Sequence, residues 1–173
     1  MCLHFQNAMS RLARPSKWHD ATGKPRTYFL TTQTADRKSL LQTERMANLF
    51  IDVLRSYMRA GKFTVHDFVV MPNHVHLLVT IPGELSVEKA MQLIKGGFAF
   101  RAGRELGFRG EIWQGGFSDV RIQDEESFLA HQNYIKQNPV KAGLANVAEE
   151  YPYGLAFLKL QKLKNIEEKE RRG

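Results

Sequence analysis

The stretch FTVHDFVVMPNHVHLLVT, residues 63–80, decides the fold of this chain. Residues 63–70 and residues 73–80 are both rich in β-branched and aromatic side chains, which is typical of strands. Between them, Met71-Pro72-Asn73 favours a tight connection, because proline presets its own φ and asparagine tolerates turn conformations. The stretch therefore predicts an antiparallel hairpin in the middle of the sequence.

A strand and a helix are predicted before the hairpin. Residues 26–34 (RTYFLTTQT) have the aromatic and β-branched composition of a strand. Residues 43–60 carry apolar side chains at steps of three and four, which indicates an amphipathic helix, and Gly61 is well suited to end it.

Two helices and a short strand are predicted after the hairpin. Ser86 is a suitable N-cap for a helix that reaches about residue 106. The short strand covers residues 117–122, and Asp124 caps a helix that runs to about residue 138, where Pro139 is expected to stop it. This order of elements predicts an α+β fold: a ferredoxin-like antiparallel sheet of about four strands, with helices packed on one face.

One folded domain with a polar segment on each side is expected. We place an N-terminal arm at residues 1–25, where proline and glycine interrupt any regular pattern. The domain that would carry the catalytic residues is placed at residues 26–158. Residues 159–173 mix Lys, Arg and Glu and are predicted to form a basic C-terminal tail.

Charge and composition limit the functional classes. The formal net charge is +7 and the pI is about 9.6, which favours a polyanionic partner such as nucleic acid. Cys2 is the single cysteine, which excludes an intramolecular disulfide and a cysteine-based zinc site. The sequence has no signal-peptide pattern, and its longest strongly apolar stretch, residues 75–81, is too short to span a bilayer. We therefore expect a cytoplasmic protein without a membrane partner.

The first candidate for a functional site is the pair His74 and His76. Residues two apart on a strand project to the same face, so the two imidazoles lie side by side while Val75 points the other way. Such a pair can bind a divalent metal; the alternative is two partly exposed histidines on a sheet face. A zinc hydrolase would also need a third protein ligand and a base, and Asp67 is the nearest candidate carboxylate.

The second candidate is Tyr134, together with Asn138 one helical turn later. At 100° per residue both fall in a polar stripe that borders the buried side of the last long helix. The alternative is a tyrosine that packs at the edge of the core with its hydroxyl hydrogen-bonded. Beside a metal held by the histidine pair, the phenol could attack a phosphodiester, and Asn138 could supply an oxygen ligand. Such a mixed ligand set suits Mg²⁺ or Mn²⁺.

The third candidate is a set of basic and aromatic residues around the second long helix and beyond. Cations there can neutralise phosphates, and an indole can stack on an unpaired base. The alternative is a solvated charged face above an aromatic core. The residues predicted to bind DNA are Lys89, Lys95, Arg101, Arg104, Arg121 and Trp113.

Three segments, in this order, resemble a known family. Residues 71–79 (MPNHVHLLV) resemble the histidine-hydrophobe-histidine motif of the HUH single-strand endonucleases. Residues 112–117 (IWQGGF) and 134–144 (YIKQNPVKAGL) are similar to those of the REP-associated tyrosine transposases, which use a single tyrosine. The resemblance covers roughly residues 26–155. The chain departs from the family at residues 151–155 (YPYGL), where a Trp-Ser-Ser-like end is often found.

The resemblance implies a metal-dependent single-stranded DNA endonuclease and strand transferase with a ferredoxin-like fold. It implies that His74 and His76 bind the metal, that Asn138 is the third ligand, and that Tyr134 forms a 5′-phosphotyrosine link. The implied substrate is single-stranded DNA with hairpins from repetitive extragenic palindromes, bound by a monomer or a homodimer. The alternative is a hairpin-binding module without cleavage activity.

Overall fold

The computed structural model describes residues 23–172 of the chain, so most of the predicted N-terminal arm lies outside the described residues. Strands and helices alternate much as the sequence predicts, with two short 3₁₀ turns at Ala35–Arg37 and Ala148–Glu150. The main elements are β1 (Arg26–Gln33), α1 (Glu44–Arg59), β2 (Thr64–Met71), β3 (His74–Ile81), α2 (Val87–Glu105), β4 (Ser118–Ile122), α3 (Glu125–Lys141) and α4 (Leu155–Arg172).

The four strands form one antiparallel sheet in the order β2-β3-β1-β4. The predicted hairpin is confirmed: β2 and β3 pair directly, and only Pro72 and Asn73 connect them. In the central pair, Thr31 of β1 lies opposite His76 of β3, and Gln33 lies opposite His74. The α+β class and the antiparallel four-stranded sheet are therefore as predicted.

Helices lie on both faces of the sheet. On one face α1 and α2 pack against inward-pointing strand residues such as Leu30, Val75 and Leu77, which belong to the main hydrophobic core. On the other face α3 packs through Ile135 against a smaller cluster that includes Leu78. The expectation that helices cover one face holds for α1 and α2 but is wrong for α3, because alternate strand residues supply an apolar patch on the second face as well.

The end of α3 also differs from the prediction. Pro139 does not stop the helix, which continues to Lys141. Pro139 is buried, and the turn after it is closed by bonds from the N–H of Ala142 to the carbonyl of Asn138 and from the N–H of Leu144 to the carbonyl of Pro139. Gly143, at φ +70°, follows the end of the helix. Asn138 therefore lies inside the helix, one turn after Tyr134 and on the same side.

The predicted boundary at residue 158 falls within a helix. α4 begins at Leu155 and runs to Arg172. Leu155 and Leu158 pack against the main core, whereas residues 162–171 are exposed. The tail is therefore the solvated continuation of a helix that begins on the domain. No helix among residues 23–172 is long and apolar enough to cross a membrane.

Candidate active site

The histidine pair lies on the sheet face that α3 partly covers. His74 begins β3 and His76 follows two residues later, so both rings project to this face while Val75 is fully buried in the opposite core. The two ring centroids are 4.8 Å apart. His76 is only 5% exposed, and His74 is half-buried. The strand period thus brings the two imidazoles together as predicted.

Each histidine ring is held at its Nδ1 atom by a neighbouring oxygen. The Nδ1 of His76 lies 2.8 Å from the hydroxyl oxygen of Thr31, its direct partner on β1. The Nδ1 of His74 lies 2.7 Å from the Oδ1 of Asn73. With both Nδ1 atoms engaged, a metal would bind at the Nε2 atoms.

Burial keeps both histidines uncharged at neutral pH. Burial, with a smaller contribution from the neighbouring His74, lowers the pKa of His76 to about 3. Burial also lowers the pKa of His74, against the opposing effect of a hydrogen bond with the Asn138 side chain. Neutral imidazoles are the form that binds metals.

Tyr134 faces this pair from α3. Its ring meets the ring of His76 edge-on, with centroids 5.2 Å apart. Phe29 of β1 stacks on His76 at 5.3 Å and meets Tyr134 edge-on at 5.7 Å, so it contacts both rings. Tyr134 is 40% exposed, which leaves it accessible to a large substrate.

Asn138 completes the set that the sequence predicted. Its hydrogen bond with His74 places the amide beside the first histidine, while Tyr134, one turn earlier, contacts the second. Two neutral imidazoles and an amide oxygen fit Mg²⁺ or Mn²⁺ with several water or phosphate oxygens. Within residues 23–172 no group of three His, Cys, Asp or Glu side chains is placed to hold a metal.

Two of the residues predicted to bind DNA have structural roles. Trp113 is only 8% exposed and packs against Phe50 and Phe98. Its indole N–H donates to the carbonyl of Lys95 at 3.0 Å, and the Lys95 ammonium donates to the carbonyls of Gln114 and Gly116 at 2.9 and 2.7 Å. The prediction that Trp113 stacks on a base does not fit its burial, and the Lys95 ammonium is already engaged with the loop after Trp113.

The other predicted DNA-binding residues lie away from the histidine pair. Lys89, Arg101 and Arg104 belong to α2, on the opposite face of the sheet. Arg101 also forms an ion pair with Glu105. Arg121 of β4 pairs with Tyr28, whose side chain lies in the main core, so Arg121 projects to the α2 side too. DNA contacts by these residues would be separate from the face that carries the histidine pair.

Four residues of the site were not predicted from the sequence. Phe29, Thr31 and Asn73 contact the histidines, and the Lys141 ammonium lies 5.9 Å from the centre of the Tyr134 ring. Lys141 follows Tyr134 by seven residues, a spacing that places both on one helix face. Asn73 directly precedes His74 in the sequence. The positions of Phe29 and Thr31 depend on strand register, which no local pattern shows.

Comparison with known proteins assigns the class. Residues 26–138 match the family model described as "Transposase IS200 like", so the chain belongs to the IS200-like transposases. It is 28% identical over 128 residues to the REP-associated tyrosine transposase of Escherichia coli K12, covering 73% of this chain and 74% of that one. A relative from Haemophilus influenzae is 28% identical over 136 residues, covering 73% and 77%.

A solved structure agrees with this assignment. It is described as the REP-associated tyrosine transposase bound to a REP hairpin, and it matches with a TM-score of 0.59 and 28% identity over 75% of each chain. The resemblance to the REP-associated tyrosine transposases that the three motifs predict is therefore confirmed.

Proposed function

We propose that this chain is a metal-dependent single-stranded DNA endonuclease and strand transferase that acts on hairpin-bearing DNA. The observation that carries the proposal is the contact between Tyr134 and His76, whose ring centroids are 5.2 Å apart. On the same face the Asn138 side chain lies close enough to His74 to act on its pKa. A nucleophile beside a candidate metal site is the arrangement that phosphodiester cleavage needs. The hairpin bound in the related structure supports hairpin DNA as the substrate.

The proposed reaction uses Tyr134 as the nucleophile. Its phenolic oxygen forms a bond to the scissile phosphorus while the bond from phosphorus to the 3′-oxygen breaks. The phenolic proton passes to solvent and the leaving 3′-oxygen takes up a proton, which gives a 5′-phosphotyrosine link and a free 3′-hydroxyl. The link conserves the energy of the phosphodiester. A second 3′-hydroxyl can therefore attack the phosphorus without ATP: it loses its proton, the bond from phosphorus to the Tyr134 oxygen breaks, and the phenol takes up a proton.

The metal would supply charge stabilisation. His74, His76 and Asn138 would hold Mg²⁺ or Mn²⁺, which polarises the scissile phosphate and stabilises the charge that develops on it. The residues of the chain orient the reactants: Phe29 holds the Tyr134 ring toward His76, and the ammonium of Lys141 brings positive charge to the side of Tyr134 where an anionic strand would lie.

A denaturing gel tests the proposal. The parent protein is incubated with a hairpin-bearing single-stranded oligonucleotide, labelled on its 3′ side, and with Mg²⁺ or Mn²⁺. We expect a covalent adduct that is absent without metal and absent in Tyr134→Phe, while Tyr134→Phe still binds the hairpin. Tyr57→Phe is the matched control, because Tyr57 lies on α1 and packs against the core on the opposite face.

Three other outcomes would contradict the proposal in different ways. Hairpin binding without an adduct in either metal would indicate a binding module. Cleavage that persists in Tyr134→Phe would indicate attack by water. An adduct that forms equally in His76→Ala would exclude the histidine pair as the metal site.

A further inference from the structure

We propose that Thr31 and Asn73 are positioning residues, each of which fixes one histidine so that its Nε2 faces the metal site. The inference rests on the proposed function and extends it to two residues that contact no metal themselves. A neutral imidazole has one N–H and one lone pair, so whichever nitrogen carries the proton decides which can bind a metal. A partner at Nδ1 therefore controls both the tautomer and the direction of the ring.

The side chain of Asn73 is fixed between two groups. Its amide nitrogen donates to the carbonyl of Arg37 at 3.3 Å, and its Oδ1 lies 2.7 Å from the Nδ1 of His74. A carbonyl oxygen only accepts, so the amide nitrogen must face Arg37 and Oδ1 must face His74. Because Oδ1 also only accepts, the proton of His74 is placed on Nδ1. The lone pair of His74 is consequently on Nε2.

The carbonyl of Arg37 is itself held by an unusual turn. Asp36 and Arg37 both have φ near +53°, a left-handed conformation that residues other than glycine rarely adopt. The Thr34 hydroxyl closes this turn through the carbonyl of Lys38 at 2.6 Å and also lies 3.0 Å from the carbonyl of Asn73. The backbone N–H of Thr34 donates to the same Asn73 carbonyl at 2.9 Å. Both the backbone and the side chain of Asn73 are thus tied to the turn, and strained turns of this kind are frequent at functional sites.

Thr31 holds the second histidine across the sheet. It is the direct antiparallel partner of His76, and its hydroxyl lies 2.8 Å from the Nδ1 of that ring. The hydroxyl accepts from Nδ1 when the proton is placed there, and Nε2 is then free to bind. His76 is also stacked on Phe29, so its ring is fixed by both an edge contact and a face contact.

Isosteric variants test the role of Thr31. Thr31→Val keeps the shape of the side chain and removes the hydroxyl, whereas Thr31→Ser keeps the hydroxyl. We expect Thr31→Val to weaken Mn²⁺ binding about 10- to 100-fold, measured without DNA by the signal of free Mn²⁺ in electron paramagnetic resonance, and Thr31→Ser to recover most of it. Thr32→Val is the matched control, because the Thr32 hydroxyl is buried toward the other face and has no hydrogen-bond partner among residues 23–172.

Two variants separate the bonds of Asn73. Asn73→Asp keeps an acceptor for His74 but loses the donor to Arg37, whereas Asn73→Ala loses both. ¹⁵N NMR of the metal-free protein reports the tautomer directly, and we expect the Nδ1–H form of His74 in the parent protein and in Asn73→Asp but a mixture in Asn73→Ala. The same spectra report the tautomer of His76 in Thr31→Val. Circular dichroism confirms that each variant is folded.

The outcomes distinguish the two proposals. If the parent protein binds Mn²⁺ while Thr31→Val binds it equally and keeps its tautomer, the positioning role is overturned and the proposed function stands. If the parent protein binds neither Mn²⁺ nor Mg²⁺, the proposed function fails. If, in addition, the tautomer of His76 is unchanged in Thr31→Val and the tautomer of His74 is unchanged in Asn73→Ala, the positioning role is overturned as well.

Discussion

His76 and Tyr134 meet edge-on, with ring centroids 5.2 Å apart, although one lies in a central strand and the other on a helix near the end of the domain. The contact joins a histidine that is almost fully buried to a tyrosine that is partly exposed. The proposed metal ligand and the proposed nucleophile thus lie in different layers of the fold. The packing of α3 on the sheet determines how far apart they lie.

Phe29 is predicted to set the orientation of Tyr134. It contacts the rings of both His76 and Tyr134, so Phe29→Leu removes the surface against which the phenol is held. We expect adduct formation to slow about 10- to 100-fold, because small misplacements of a reacting group have effects of that size. Hairpin affinity should not change. Single-turnover gel assays measure the rate, and Phe100→Leu, at a 65% exposed position on α2, is the control.

Asn138 is predicted to act on His74 in the metal-free protein as well as on the metal. The hydrogen bond between them raises the pKa of His74, so Asn138→Ala should lower that pKa, as followed by NMR titration. The same variant should weaken Mn²⁺ binding, since it lacks the amide oxygen, and Asn138→Asp should restore it. Gln137→Ala is the control from the neighbouring position. An unchanged His74 titration in Asn138→Ala would contradict the contact.

Much of the site could be predicted because its residues obey local periodicities. Once Val75 is assigned to the core, strand alternation places His74 and His76 on the other face, and helical spacing places Asn138 beside Tyr134. The meeting of these two pairs depends on where α3 docks. Neither periodicity contains that information, and only the resemblance to a family supplied it.

The predicted DNA-binding residues show that composition does not tell surface residues from core residues. A lysine and a tryptophan in a basic, aromatic region are expected at a nucleic-acid surface. Instead, the indole of Trp113 donates to the carbonyl of Lys95, and the Lys95 ammonium donates to the loop after Trp113. Long-range packing decided between surface and core at these positions. Pro139 is a similar case, because burial at the last turn of α3 outweighs its usual effect on a helix.

Lys95 and Trp113 are predicted to affect stability. Trp113→Phe keeps an aromatic ring in the core but removes the donor to the Lys95 carbonyl, so we expect a loss of about 1 kcal/mol in the free energy of unfolding. Lys95→Met should also destabilise, because two carbonyls lose their donor. Urea unfolding measures both. Hairpin affinity should stay within about twofold of the parent value under native conditions, since neither variant changes an exposed base-stacking surface; a large loss of affinity in a folded Trp113→Phe would favour the DNA-binding role.

The buried neutral state of His76 predicts that acid destabilises the fold. Its pKa is about 3 in the folded protein and 6.5 ordinarily, so between these values the unfolded chain binds more protons than the folded one. Stability should therefore fall as pH decreases from 6.5 toward 3, with a slope of at most about 1.4 kcal/mol per pH unit from this residue. His76→Leu removes the titrating group and should show a shallower slope in urea unfolding between pH 7 and 4. A residual slope is expected from His66 and His74, whose pKa values burial also lowers. Parallel curves for His76→Leu and the parent protein would show that His76 is not neutral and buried in solution.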